Sequence, residues 1–99
     1  MIEFIKEYGV TTFDYEYIMH NMKQDIIENI ALSENSVREV LAYYNEIGIT
    51  ANVGKILVMR PDLILISKEN LSELISKIDI NVFINIVDKS IEDLILLGI

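Results

Sequence analysis

Five apolar residues, Val37, Val40, Leu41, Tyr44 and Ile47, are spaced 3, 1, 3 and 3 apart, and Gly48 follows at once. That spacing places all five on one face of an α-helix. It cannot be laid along one face of a strand, where side chains alternate with a period of two. A glycine just past the last apolar residue is a helix stop, because it enters the left-handed region without a Cβ clash. Thr50 then reads as the cap of a second helix, with Val53, Ile56 and Leu57 facing inward. That helix must end near Arg60, since the residue before a proline is pushed out of the α region. Pro61 opens a third, single-turn helix, Asp-Leu-Ile-Leu.

The flanks carry related signals. Met1 to Tyr8 reads as a helix with Phe4, Ile5 and Tyr8 on one stripe, stopped by Gly9. Thr11 with Asp14 three residues later is a partial capping box, and Phe13, Tyr17 and Ile18 are expected to form the buried face of the helix it starts. Asp25 to Ala31 is a short helix with Ile26, Ile27 and Ile30 inward. At the central unit, Ser33 is expected to cap while Leu32 packs on Val37 as a hydrophobic staple; Ser36 with Glu39 is a competing capping box. Ile66-Ser67 followed by Leu71 repeats that junction, and a shift of 34 residues maps Val37, Val40, Leu41 and Tyr44 onto Leu71, Leu74, Ile75 and Ile78. Asp79 is expected to cap a helix bearing Val82, Phe83, Ile86 and Val87, and Ser90 with Asp93 to cap a last short helix ending at Gly98.

The chain therefore reads as all-α. It is divided into three unequal copies of a three-helix unit (two helices plus a short third), with units at 1–32, 33–66 and 67–99. The ends of the first helices, FIKEYGVT (4–11), YYNEIGIT (43–50) and, more loosely, ISKIDIN (75–81), lie about 39 and 31 residues apart. A period in this range is expected of a small α-solenoid, in which each unit buries its apolar face only against a neighbour.

Gly48-Ile49-Thr50, a short helix, and then Met59-Arg60-Pro61-Asp62-Leu63-Ile64-Leu65 resemble the repeat of the mitochondrial transcription termination factor family. There a helix ending in Leu-Gly is followed by a second helix and an Arg-(x)-Pro-x-Leu-Leu turn. The resemblance is strong over 33–67, fair over 68–97 and weak over 1–32, which lacks the proline. It implies a right-handed superhelix of helical triplets and, in its characterised members, nucleic-acid binding through basic residues on a concave face. This chain differs from them in being acidic and in having fewer units.

Its 99 residues carry sixteen acids and eight bases, a net charge of −8, and the first fifty residues hold nine of those acids against three bases. Such a chain is repelled by phosphate unless its few bases share one face. Arg38, Lys55, Arg60, Lys68 and Lys77 are the candidates for that face, although Arg60 is equally suited to binding helix carbonyls at the Pro61 turn. No apolar run reaches the ~18 residues of a membrane span. The start, MIEFIKEYG, has no signal-peptide core, and there is no cysteine. These features fit a cytoplasmic protein without disulfides or thiolate metal sites.

Catalytic motifs are missing. Gly54-Lys55 lacks the spacing, the Ser or Thr and the preceding strand of a phosphate-binding loop, so Gly54 reads instead as a point of close helix packing. His20, the sole histidine, has Glu16 four residues before it, which makes two ligands where catalytic zinc needs three. No catalytic, cofactor or metal residue is assigned, and no enzyme is expected. Tyr15 and Tyr43 lie off the apolar stripes and are candidates for a protein interface, or else half-buried residues at the core edge. The last stretch, with Leu96 and Ile99, is apolar enough to dock a partner or a second copy, or else folds back onto the core. The expectation is a non-enzymatic helical-repeat module that binds another protein. Its alternatives are a nucleic-acid-binding module built on the bases around Pro61, and an acidic inhibitor that mimics nucleic-acid charge.

Overall fold

The helix marked by the 37–47 stripe is the spine of the molecule. The computed structural model describes residues 1–99, which form nine helical segments and no strand. A first 3-10 helix (Glu3–Tyr8) is followed by α1 (Thr12–Asn21), α2 (Gln24–Leu32), α3 (Glu34–Glu46), α4 (Val53–Met59), α5 (Asp62–Leu65), α6 (Lys68–Ser76), α7 (Ile80–Lys89) and a second 3-10 helix (Ile91–Leu97). Val37, Val40, Leu41 and Tyr44 of α3 are fully enclosed. The first 3-10 helix, α2, α5 and α6 all pack against α3, while α1 packs on α4, and α7 packs on α6 and the second 3-10 helix.

The core is a single cluster of 24 buried side chains, all apolar apart from the tyrosine hydroxyl it contains. That hydroxyl is satisfied: Tyr44 Oη donates to the Leu63 carbonyl at 2.8 Å, and its ring lies parallel to that of Phe83 with centroids 6.5 Å apart. No buried side-chain polar atom lacks a partner. Each enclosed Leu, Ile, Val or Phe contributes roughly 1.5–3 kcal/mol, so this cluster outweighs any surface ion pair in holding the fold.

Glycine turns follow the first 3-10 helix and the spine. Gly9 and Gly48 take nearly the same backbone, φ +103° and +105°. A Cβ on Gly9 would stand 3.0 Å from the Thr50 carbonyl carbon, so the two turns are stacked in backbone contact. Asn45 Nδ2 ties them, donating to Tyr8 O at 3.0 Å and Ile49 O at 2.9 Å. Three expected caps form: Thr11 Oγ1 accepts from Asp14 N–H, Ser67 Oγ from Asn70 N–H, and Asp79 Oδ1 from Asn81 N–H. α4 ends before Pro61, and α5 is one turn long.

Several expected details are corrected. α2 and α3 run almost end to end. Ser33 N–H bonds to Asn29 O and Ile30 O, and Ser33 O accepts from Val37 N–H, so Ser33 is a bend between helices and caps neither with its side chain. Leu32 is 85% exposed and forms no staple, and Ser36 lies inside α3 and starts no capping box. Thr50 contributes its carbonyl to Val53 N–H within a turn, and Ser90 its carbonyl to Asp93 N–H; neither hydroxyl caps. In α1, Phe13 and Tyr17 are 80% and 58% exposed, and the inward face is Tyr15, Ile18, Met19 and Met22. In α7, Val82 is exposed while Phe83 and Val87 are buried.

Candidate functional site

Where α1 crosses α4, Gly54 is buried, and a Cβ there would meet Ile18 Cδ1 at 3.4 Å. α1 and α4 pack on each other here, and a Cβ at Gly54 would make only an ordinary contact. Beside this contact lies a cleft of about 420 Å³, with Asp14, Tyr17 and Ile18 on the α1 wall and Asn52, Lys55 and Met59 on the other. Tyr17 also walls a second hollow of about 350 Å³, shared with Phe13, Glu16, His20 and Asn21. Phe13 and Tyr17 are one turn apart and project outward; Met59, across the cleft, is 54% exposed. Tyr17 and Met59 thus flank the cleft, and Phe13 and Tyr17 the adjoining hollow.

The polar groups of the groove are unequally occupied. Lys55 Nζ donates to the Asp88 carbonyl at 2.7 Å, at the end of α7, and Asn52 Nδ2 donates to Asp88 Oδ1 at 3.1 Å. The Asn52 bond, followed by the bond and charge of Lys89, holds the Asp88 carboxyl below the usual range. Lys55 is therefore engaged in fastening α4 to α7. Asp14 and Glu16, by contrast, have no ion-pair partner. Only Glu3, Glu7, Glu34, Asp62, Glu73 and Asp88 among the carboxylates are ion-paired. Glu16 and His20 line the same hollow, but no group of three or more His, Cys, Asp or Glu is placed to hold a metal ion.

The bases singled out in the sequence are engaged at separate junctions. Arg38 clamps Glu7 through both terminal nitrogens at 3.1 Å, reaches Glu34 through Nε at 2.8 Å, and stacks over Phe4. Arg60 is bidentate to Asp62 at 3.0 Å and donates to the Ile99 main-chain oxygen. Lys77 lies 3.8 Å from Glu73, one turn back on α6. Lys68 has no ion-pair partner and is half-buried.

Of the tyrosines, Tyr15 is half-buried with Lys6 Nζ 4.6 Å from its ring centroid, and burial, followed by the Glu3 charge, pushes its phenol up. Tyr43 is half-buried against Tyr44. Neither projects into solvent as Tyr17 does. In the last segment Ile91 and Leu94 are buried, Ile99 is half-buried, and Leu96 is 79% exposed, so one side of the second 3-10 helix folds back onto the core and the other stays open. Two apolar stripes compete on α1 in the sequence: Tyr15, Ile18, Met19 and Met22, at i, i+3, i+4 and i+7, form the one the fold covers, which leaves Phe13 and Tyr17 opposite.

No protein-family model, curated protein or solved structure matches the chain. No helix is long and apolar enough to cross a membrane.

Proposed function

We propose that the chain is a non-enzymatic helical-repeat module that binds another protein, and that the α1–α4 cleft is its docking surface. The observation that carries this reading is the solvent exposure of Tyr17 and Met59 at the cleft, with Phe13 exposed beside Tyr17 on the adjoining hollow. Aromatic residues and methionine are enriched at interfaces because they bring large contact area at low entropy cost. Such residues on an open groove mark a surface that is covered in a complex.

The repeat reading draws on how the units meet. The first helices of successive units, the first 3-10 helix, α3 and α6, pack in order. The second helices, α1 and α4, also pack on each other, and Asn52 and Lys55 extend that row to α7. The stacked Gly9 and Gly48 turns stand at equivalent positions of two units. Three layers at the 8–10 Å spacing of packed helices suit a body of 34 × 25 × 22 Å. A right-handed solenoid resembling the transcription termination factor repeat is the arrangement we favour. The nucleic-acid binding that this resemblance implies ranks second, because four of the five candidate bases already serve partners within the chain.

Affinity capture with the wild-type chain and a Phe13→Ser/Tyr17→Ser double variant tests the reading. Both substitutions are at exposed positions, so folding stability is expected to change by only about 0.5 kcal/mol or less per site. The wild type is expected to retain proteins that the variant loses. Identical captured sets would remove the cleft as a docking surface.

A further inference from the structure

We infer that the last unit, 67–99, presents an apolar end face that a second copy of this chain covers, tail to tail; the assignment rests on the repeat reading above and is independent of the α1–α4 cleft. Asp62-Leu63-Ile64-Leu65 of α5 recurs, letter for letter, as Asp93-Leu94-Ile95-Leu96 of the second 3-10 helix. One tetrapeptide thus stands in two units. Its first leucine is buried in both, Leu63 in the middle unit and Leu94 in the last. Its isoleucine is not: Ile64 is fully enclosed, whereas Ile95 is 72% exposed. The side chain is the same, so the difference lies in what packs over it.

The other helices of the two units show the same split. Val37 and Leu41 of α3 correspond to Leu71 and Ile75 of α6, and all four are buried. Val40 and Tyr44 are enclosed, but their counterparts Leu74 and Ile78 are only half-buried. Val53, Ile56 and Leu57 of α4 correspond by spacing to Phe83, Ile86 and Val87 of α7. The first and last of each set are buried in both helices, while Ile56 is enclosed and Ile86 half-buried. Each helix of the last unit therefore opens a position that the middle unit closes. The cover over the middle unit is visible at Tyr44, whose ring lies against Phe83 of the following unit. Ile78, Ile86 and Ile95 are what the last unit offers to a further body. Val82, one turn before Ile86, is exposed beside it. A solenoid end that faces water carries polar side chains, and an apolar one marks a contact.

Charge and symmetry select the tail-to-tail arrangement. Residues 51–99 hold seven acids and five bases, against nine and three in residues 1–50. The first and last units pack on opposite partners of the row, the first 3-10 helix and α6 each meeting α3. Two chains joined through their last units keep their strongly acidic halves apart, which is the least repulsive way for molecules of net charge −8 to associate. A head-to-tail pair would set the acidic first unit of one chain on the last unit of the other and leave an open end that keeps growing. A two-fold contact uses the same face twice and closes at the dimer.

Sedimentation equilibrium of the whole chain, from about 1 μM to about 1 mM, tests the assignment over the range from firm to weak association. The expected result is a reversible monomer–dimer equilibrium with no larger species. Added salt should strengthen the dimer, because it screens the repulsion between like-charged chains. Ile95→Asp changes a side chain that is exposed in the monomer, so circular dichroism should show an unaltered fold. In the two-fold contact it enters twice, and the dimer Kd should rise about tenfold or more. Val82→Glu, also at an exposed position, should act in the same direction, and Phe13→Ser/Tyr17→Ser should leave the dimer unchanged. Amide exchange in α7 and the second 3-10 helix should slow as concentration carries the chain from monomer to dimer, while the first 3-10 helix is unaffected. A monomer at every concentration would overturn the second copy as occupant. So would an open series of oligomers, or a dimer indifferent to both Ile95→Asp and Val82→Glu. In each of these cases exchange in dilute protein separates the two conclusions. Slowest exchange in the middle unit would leave the repeat reading standing and remove only the occupant; uniform protection would remove both.

Discussion

Tyr44 joins three parts of the molecule through one side chain. Its ring faces Phe83 of α7, its hydroxyl bonds to Leu63 of α5, and its backbone belongs to α3. Burial pushes the phenol far above its ordinary value, and the Asp62 charge adds to the shift. In the unfolded chain the phenol ionises near pH 10, whereas in the fold it keeps its proton well above that. Above pH 10 the unfolded state thus binds fewer protons, and stability must fall as pH rises. Alkaline unfolding followed by circular dichroism is expected to steepen above pH 10. Tyr44→Phe should reduce that slope while costing about 1–2 kcal/mol at neutral pH in urea titrations, because the lost hydroxyl leaves the Leu63 carbonyl without that donor. An unchanged alkaline slope in Tyr44→Phe would mean that other groups drive the transition. Tyrosines were also where single-residue reading from sequence was weakest. Tyr44 was recognisable as core from its place on the stripe. Tyr15 and Tyr17 are two positions apart on one helix, and tertiary packing decided that Tyr15 turns in, under Lys6 of the first 3-10 helix, and Tyr17 out.

Among the elements, the glycine turns separate conformational strain from contact. Gly9 and Gly48 share a φ near +104° within two degrees, so an alanine at either pays a similar strain of roughly 1–2 kcal/mol. They differ in what a Cβ would touch. At Gly48 it meets Ile84 Cδ1 at 3.7 Å, an ordinary contact, whereas at Gly9 it meets Thr50 backbone atoms at 3.0 Å. Gly9→Ala is therefore expected to destabilise more than Gly48→Ala, and thermal melts of the two variants measure the difference. Equal losses would mean that the turns are not held in backbone contact. The same scale shows why some boundaries were legible and others not. Gly48, Arg60-Pro61 and Ser67 act through their own backbone or hydroxyl, and each works where it was expected. Ser33 failed as a cap because its backbone, at φ −108° and ψ 28°, stays out of the extended region that Thr11, Ser67 and Asp79 adopt, and the chain passes into α3 with a bend. Residue types alone do not reveal whether the preceding helix has ended far enough away to leave a cap something to do.

For the whole molecule, the solenoid reading has a consequence for local stability. A unit with neighbours on both sides is held by two interfaces and an end unit by one. Hydrogen exchange is therefore expected to be slowest in α3 to α5 and fastest in the two 3-10 helices, with intermediate rates in α1, α2, α6 and α7. Uniform protection would instead mark a single cooperative globule without repeat character. At this scale the sequence by itself determined the class of structure. Apolar residues at helical spacing, few glycines and one proline leave only helices, and the stripe on α3 names the spine because helix periodicity is a local property of the chain. Most helix stops follow from the same local rules. Which face of α1 is covered, whether Ser33 caps or merely bends, and which bases remain free were decided only by the tertiary structure. A side chain's exposure depends on what packs over it, and an arginine's availability on which carboxylate the fold carries to it. Arg38 meets Glu7 across 31 residues of sequence, and Lys55 meets the Asp88 carbonyl across 33, contacts that no local pattern encodes. The groove edged by Tyr17 and Met59 is of the same kind: it exists because the fold packs α1 against α4.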